Sequence, residues 1–100
     1  MALIRVTSSE LRAKAEELRG LNGQFKSAVS ELEGTEGQLT GMWEGEAKNA
    51  FHNAFQSDKA QMDNFYTAIE NYAARLESAA AKYEQTENAN VEIANTRSYR

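Results

Sequence analysis

The sequence contains no proline and no cysteine, and its six glycines all lie between residues 20 and 45. Proline is the strongest helix breaker, so its absence leaves the backbone free to form very long helices. The second half lacks glycine as well and is predicted to form one uninterrupted element. Without cysteine the chain has neither disulfide bonds nor thiolate chemistry. With 41% hydrophobic and 26% charged residues, the chain is expected to form one folded domain, residues 1–100.

Long apolar runs and dense basic runs are also absent. Lysine and arginine number 11 against 15 aspartates and glutamates, a net charge of −4, which excludes the dense cationic face that nucleic-acid binding requires. The apolar run Met1–Ile4 is far shorter than the roughly 18 residues that cross a bilayer. It is also too short for the apolar region of a signal peptide. We therefore expect no nucleic-acid partner, no membrane interaction and, if the protein leaves the cell, export without a cleavable leader.

A first helix is predicted over about residues 8–40. Thr7 is placed to cap its first turn, and Glu10, three positions later, completes the pattern of a capping box. Glycines accumulate towards the end of this segment. Gly41 is therefore expected to take the left-handed conformation that terminates many helices.

A second helix is predicted over about residues 46–87, after a turn at residues 41–45 that contains Trp43, Glu44 and Gly45. Glu46 places negative charge in the first turn, where the helix dipole favours it. Beyond residue 87 asparagines interrupt the apolar pattern, so residues 88–100 are predicted to form a flexible tail.

Both helical segments carry apolar residues at alternating steps of four and three, which is the period of a helical seam and not of a strand. Three polar residues interrupt the seams: Asn22, Glu36 and Asp58. Such residues either fix register and partner choice, or they lie at bundle ends or face solvent, and both alternatives stay open. The residues predicted to form the hairpin and dimer core are Leu11, Leu18, Phe25, Val29, Leu32, Leu39, Phe51, Phe55, Met62, Phe65, Ile69, Tyr72 and Leu76.

Two long helices joined by a short turn must lie antiparallel as a helical hairpin. A single hairpin buries one seam and leaves the side chains beside it exposed to solvent. This hairpin has no cysteine or evident metal site to stabilise it further. The predicted fold class is therefore all-α, an antiparallel helical hairpin that dimerises into a four-helix bundle.

The residues offer little for catalysis. His52 is the only histidine, and its helical neighbours at three and four residues include no carboxylate or second metal ligand, so a solvent-facing or interface role is predicted for it. The chain contains no nucleophile, phosphate-loop or metalloprotease motif. We predict no catalytic residue, no metal site and no cofactor, and hence no enzyme.

Two features go beyond what helix building requires. Trp43 lies in a short glycine-bounded turn, where it either plugs the hairpin end or is presented to a partner. Tyr83 and Glu87 share one face of the last predicted helical turn. A tyrosine four residues before a glutamate is a weak signal by itself, but the tryptophan turn, the chain length and the two heptad patterns together make it specific.

In this combination the chain resembles the WXG-100 family, the small ESAT-type substrates of type VII secretion systems. The resemblance is carried by Trp43-Glu44-Gly45 as the W-x-G turn and by Tyr83 and Glu87 as the Y-x-x-x-D/E export motif. It covers nearly the whole sequence. The segment Ile4–Lys14 looks like the homodimeric branch found in Firmicutes.

The resemblance implies a four-helix bundle of two antiparallel hairpins, with this chain or a similar hairpin as partner, folded before export. It also implies a bipartite secretion signal in which Trp43 and Gly45 of one subunit lie near Tyr83 and Glu87 of the other. Such signals are read by an FtsK/SpoIIIE-type membrane ATPase. The implied product is a secreted, extracellular protein that acts as a co-secretion partner or as a virulence or interbacterial factor.

Two other functions are kept as alternatives. The first is an intracellular structural coiled-coil adaptor, in which Trp43 and Tyr83 would matter only for stability. The second is a membrane-active effector, although the heptad faces are used in packing and no strongly cationic amphipathic helix is left for an anionic bilayer.

Overall fold

The protein is an elongated hairpin of two helices. The computed structural model describes the backbone of residues 6–98 and the side chains of residues 6–86 and Asn88. Within residues 6–98 the chain forms α1 (Ser8–Gly41) and α2 (Glu46–Ser98) and no strand. The principal extents are 84 × 24 × 16 Å and the radius of gyration is 23.1 Å, against about 13 Å for a compact domain of this length. The predicted antiparallel hairpin is confirmed, and its shape leaves little interior.

The first helix begins as the sequence predicts. Thr7 is the N-cap, and its hydroxyl oxygen accepts a hydrogen bond from the Glu10 backbone N–H at 3.1 Å. The same hydroxyl donates to the Glu10 carboxylate at 3.3 Å. Threonine and glutamate therefore secure each other at the start of α1, as in a capping box.

The ends of the helices differ from the prediction. Gly41 is still helical, and Met42 caps α1 in a right-handed conformation, so the expected left-handed Gly41 is wrong. Among the described residues Gly45 alone has a positive φ, of 109°, because the chain reverses immediately before α2. The second helix also continues to Ser98, past the predicted end near residue 87. Neither proline nor glycine follows Gly45, and the weak helix propensity of asparagine does not by itself end a helix.

A narrow row of small and polar side chains lies between the two helices, and we call it the hairpin seam. The buried residues of α1 recur at heptad spacing, so they form one stripe facing α2. Ala73 and Ala80 are completely buried and continue a heptad row on α2. The seam consists of Ala15, Asn22, Val29 and Glu36 on α1 and of His52, Lys59, Tyr66, Ala73 and Ala80 on α2.

Most of the large apolar side chains lie to one side of the seam. Of the predicted core, only Val29 is buried in the single chain. The half-buried members are Leu11, Leu18, Phe25, Phe55, Met62, Ile69 and Leu76, and the exposed ones are Leu32, Leu39, Phe51, Phe65 and Tyr72. These half-buried and exposed residues, together with Leu21, form what we call the open apolar face. The α2 row that the sequence predicts to face α1 therefore lies beside the hairpin seam. The α2 residues that do lie between the helices occupy the neighbouring heptad positions.

Ion pairs join the helices on the other side of the seam. Arg12 binds Glu84 at 2.7 Å, and Arg19 binds Glu77 and lies 3.8 Å from Glu70. The hydrogen bond from Arg19 lowers the pKa of the Glu77 carboxyl below its ordinary value. A lowered carboxyl pKa adds stability above the unfolded-state pKa, and this is lost as the pH falls through the folded-state pKa. These pairs are partly solvated, so salt screens them, and they orient the helices more than they stabilise them.

Candidate functional site

Trp43 connects the two helices at the turn. Its backbone N–H donates to the Thr40 carbonyl of α1 at 3.4 Å. Its ring packs on Phe51 of α2, with ring centroids 5.7 Å apart and planes inclined by 51°. The side chain is half-buried, next to Met42, which is 80% exposed. Trp43 therefore both closes the hairpin end and presents part of its ring to solvent.

Gly45 is required by the backbone of this turn. Its φ of 109° lies in the region that side chains with a Cβ rarely adopt. Its carbonyl accepts a hydrogen bond from the Asn49 N–H at 3.4 Å, which begins the ladder of α2. A Cβ built at Gly45 meets nothing within 4 Å, so no neighbour requires glycine there. The glycine of the W-x-G sequence is thus explained by conformation.

Replacing Gly45 by alanine is expected to destabilise the protein by about 1–3 kcal/mol through backbone strain alone. Gly37→Ala is a matched control, because Gly37 is helical and a Cβ there also meets nothing within 4 Å. It should stabilise α1 by about 0.5–1 kcal/mol. Urea unfolding at matched protein concentrations measures both changes, and an unchanged stability of Gly45→Ala would contradict the conformational explanation.

Tyr83 lies at the opposite end of the hairpin from Trp43. It is 40% exposed on α2, next to Glu84, which pairs with Arg12 near the start of α1. The side chain of Glu87, its predicted companion, lies outside the described residues. One chain therefore cannot bring Trp43 and Tyr83 together, and a site that contains both needs two chains.

His52 has a carboxylate partner that the sequence pattern does not reveal. Its Nδ1 lies 2.6 Å from Oε1 of Glu36, whose side chain is only 5% exposed. The helical neighbours of His52 supply no carboxylate, as the sequence indicates, and the partner comes from α1. The place of His52 on the seam, and that of Lys59 and Tyr66, was missed because the larger apolar residues beside them dominate the pattern.

The polar interruptions of the predicted seams separate into two groups. Asn22 and Glu36 are buried, 3% and 6% exposed, whereas Asp58 is exposed. Asn22 donates from Nδ2 to the Tyr66 carbonyl and to the Glu70 carboxylate, each at 2.9 Å. Its buried Oδ1 has no hydrogen-bond partner. Directional bonds of this kind favour one register of the hairpin, so the register alternative holds for Asn22 and Glu36 and the solvent alternative for Asp58.

Neither helix, over residues 6–98, has a stretch long and apolar enough to cross a membrane. In the same part of the chain, no group of three or more His, Cys, Asp or Glu side chains is placed to hold a metal ion.

The turn sequence Trp43-Glu44-Gly45 has the pattern for which a known protein family is named. The family model "WXG100: Proteins of 100 residues with WXG" matches residues 3–88. The chain belongs to the WXG100 family. Type VII secretion system extracellular protein A of Staphylococcus aureus, in strains USA300 and Newman, is 29% identical over 80 residues, which are 80% of this chain and 82% of that protein.

Solved structures share the hairpin of this WXG100 chain. The secreted protein EsxB of Bacillus anthracis str. Sterne superimposes with a TM-score of 0.76 at 29% identity, covering 87% of this chain and 99% of that chain. EsxA of Geobacillus thermodenitrificans gives a TM-score of 0.78 at 22% identity and covers 89% of this chain and 97% of that chain. At this lower identity the second comparison shows the shared fold.

Proposed function

We propose that this WXG100 protein is a substrate of a type VII secretion system and is exported as a folded dimer of two antiparallel hairpins. The observation that carries the proposal is the placement of Trp43 and Tyr83 at opposite ends of one hairpin. The names of the relatives, an extracellular type VII protein and a secreted protein, support the same process. The product is extracellular, and its role is recognition, not catalysis.

The open apolar face supports dimerisation. Leu21, Phe65 and Tyr72 are 55%, 56% and 53% exposed in the single chain. Leu21 and Phe65 line a groove of about 230 Å³, together with Leu18, Asn22, Phe25 and Ile69. Large side chains left in water along one face of a thin rod are typical of an interaction surface. A second copy of the chain, or a similar hairpin, covers this face and completes a four-helix bundle.

An antiparallel partner also completes the export signal. In that arrangement Trp43 and Gly45 of one subunit lie beside Tyr83 and Glu87 of the other, at each end of the dimer. Partly exposed aromatic side chains on a rigid end are well suited to recognition by another protein. A membrane ATPase of the FtsK/SpoIIIE type recognises the signal, and export requires no cleavable signal peptide.

The experiment follows the tagged chain into the culture medium. It is produced in a host with an intact type VII system and in the same host without the secretion ATPase. ATPase-dependent release of the wild type is expected, with release abolished by Tyr83→Ala while the helical content stays unchanged. Lys82→Ala is the matched control, because Lys82 is also exposed on α2 but is not part of the motif.

Three results would contradict the proposal. Retention of the wild type in an export-competent cell would favour an intracellular adaptor. Release without the ATPase would exclude the type VII route. Equal release of Tyr83→Ala and Lys82→Ala would remove Tyr83 from the signal.

A further inference from the structure

A buried carboxylate lies between the two helices, between one and two helical turns before the end of α1. Glu36, near the end of α1, is 6% exposed, and its Oε1 lies 2.6 Å from Nδ1 of His52, near the start of α2. A carboxylate withdrawn from water is strongly destabilising without a hydrogen-bonding or charged partner. The pair therefore links the two helices between one and two helical turns from the W-x-G turn.

The position of Trp43 depends on this tie. Its backbone is hydrogen-bonded to α1 through Thr40, whereas its ring rests on Phe51 of α2. Phe51 is the neighbour of His52 in the sequence. A shift of α2 relative to α1 at this end would move the surface on which the indole packs while its backbone stayed with α1.

The neighbouring lysine of the hairpin seam is engaged elsewhere. Lys59, the next seam residue of α2, has its Nζ 3.1 Å from Asp63 and 3.8 Å from Glu33. The polar partner that the structure gives to the Glu36 carboxylate is therefore His52. Removing the imidazole would leave the carboxylate buried without that partner, and the helices would have to separate to hydrate it.

We infer that Glu36 and His52 are positioning residues for Trp43, holding the indole in the orientation that the export machinery reads. This inference rests on the proposed function for its consequence in export. Its structural part, that the pair sets the orientation of Trp43, can be tested without secretion.

The single tryptophan makes the test direct, since all indole fluorescence comes from Trp43. In purified His52→Ala we expect a red shift of the emission, faster quenching by acrylamide and lower anisotropy, with helical content retained. His52→Gln keeps a donor for Glu36, so it should preserve the wild-type emission. Export of His52→Ala should fall and export of His52→Gln should be restored.

Arg19→Gln is the control for the loss of a cross-helix ion pair elsewhere in the hairpin. It breaks the cross-helix pair with Glu77 on the far side of the hairpin from the turn. Because a partly solvated pair contributes little to stability, the unfolding midpoint should change little, and the Trp43 emission should stay unchanged. If His52→Ala is unfolded, Glu36→Ala takes its place, because it breaks the same pair without leaving a buried carboxylate. It should show the same red shift, and unchanged emission in this variant would overturn the inference.

Unchanged emission and quenching in a folded His52→Ala would overturn the inference, as would an equal shift in Arg19→Gln. A changed emission in His52→Gln, with helical content retained, would overturn it as well. If the wild type is not exported at all, the proposed secretion function fails, whereas the fluorescence comparison still tests the positioning role on its own.

Discussion

Phe65→Ala is expected to destabilise the protein by about 3–5 kcal/mol, the loss typical of removing a fully buried phenylalanine. In the single chain the ring is 56% exposed and makes an edge-to-face contact with Phe25 at a centroid distance of 5.5 Å. Half-burial and one aromatic contact together account for no more than about 2 kcal/mol. The difference between these values is the stabilisation that Phe65 gains when a second chain covers the open apolar face.

The measurement is urea unfolding followed by circular dichroism, repeated over a range of protein concentrations. Because association stabilises only the folded chain, the wild-type midpoint should rise with concentration and the Phe65→Ala midpoint should rise less. Asn64→Ala is the matched control, since Asn64 is the preceding residue and is exposed away from this face. A loss below about 2 kcal/mol with no concentration dependence would mean that Phe65 stays exposed in solution.

The sequence is sufficient for the architecture because the hairpin is specified by local signals. The capping residue Thr7 and the lack of proline set the start and the length of α1, and the glycine-bounded Trp43 marks the turn. The apolar residues of both helices were also correctly placed on helical stripes. Each of these features depends on residues close together in the chain, and such features can be recognised from one sequence.

The pairing of the helices is less visible in the sequence. Apolar periodicity identifies the most hydrophobic stripe, and on α2 that stripe belongs to the open apolar face. The contact with α1 uses Ala73 and Ala80, which are small, and His52, which is polar. The Glu36–His52 pair could be recognised only by placing the two helices in register. Two alanines at heptad spacing, Ala73 and Ala80, beside a richer apolar row are the signal that could have located the seam.

Ala73→Leu is expected to destabilise the hairpin by about 1–3 kcal/mol, because a larger side chain at a filled contact forces the helices apart. Ala73 is completely buried, whereas Ala74 is exposed on the same helix. Ala74→Leu should therefore stay within about 0.5 kcal/mol of the wild type. Separation of the helices should also weaken the hydrogen bonds from Asn22 across the seam, so exchange protection of nearby backbone amides should fall in Ala73→Leu.

This pair of variants decides which face of α2 meets α1. If the row that contains Ala73 and Ala80 faces α1, only Ala73→Leu is overpacked, and the open apolar face keeps its large side chains for a second chain. Equal stability of Ala73→Leu and Ala74→Leu would mean that Ala73 is not enclosed between the helices. The row containing Leu76 and Ile69 would then have to close the hairpin itself, and it could not at the same time supply the surface that joins two hairpins into a four-helix bundle.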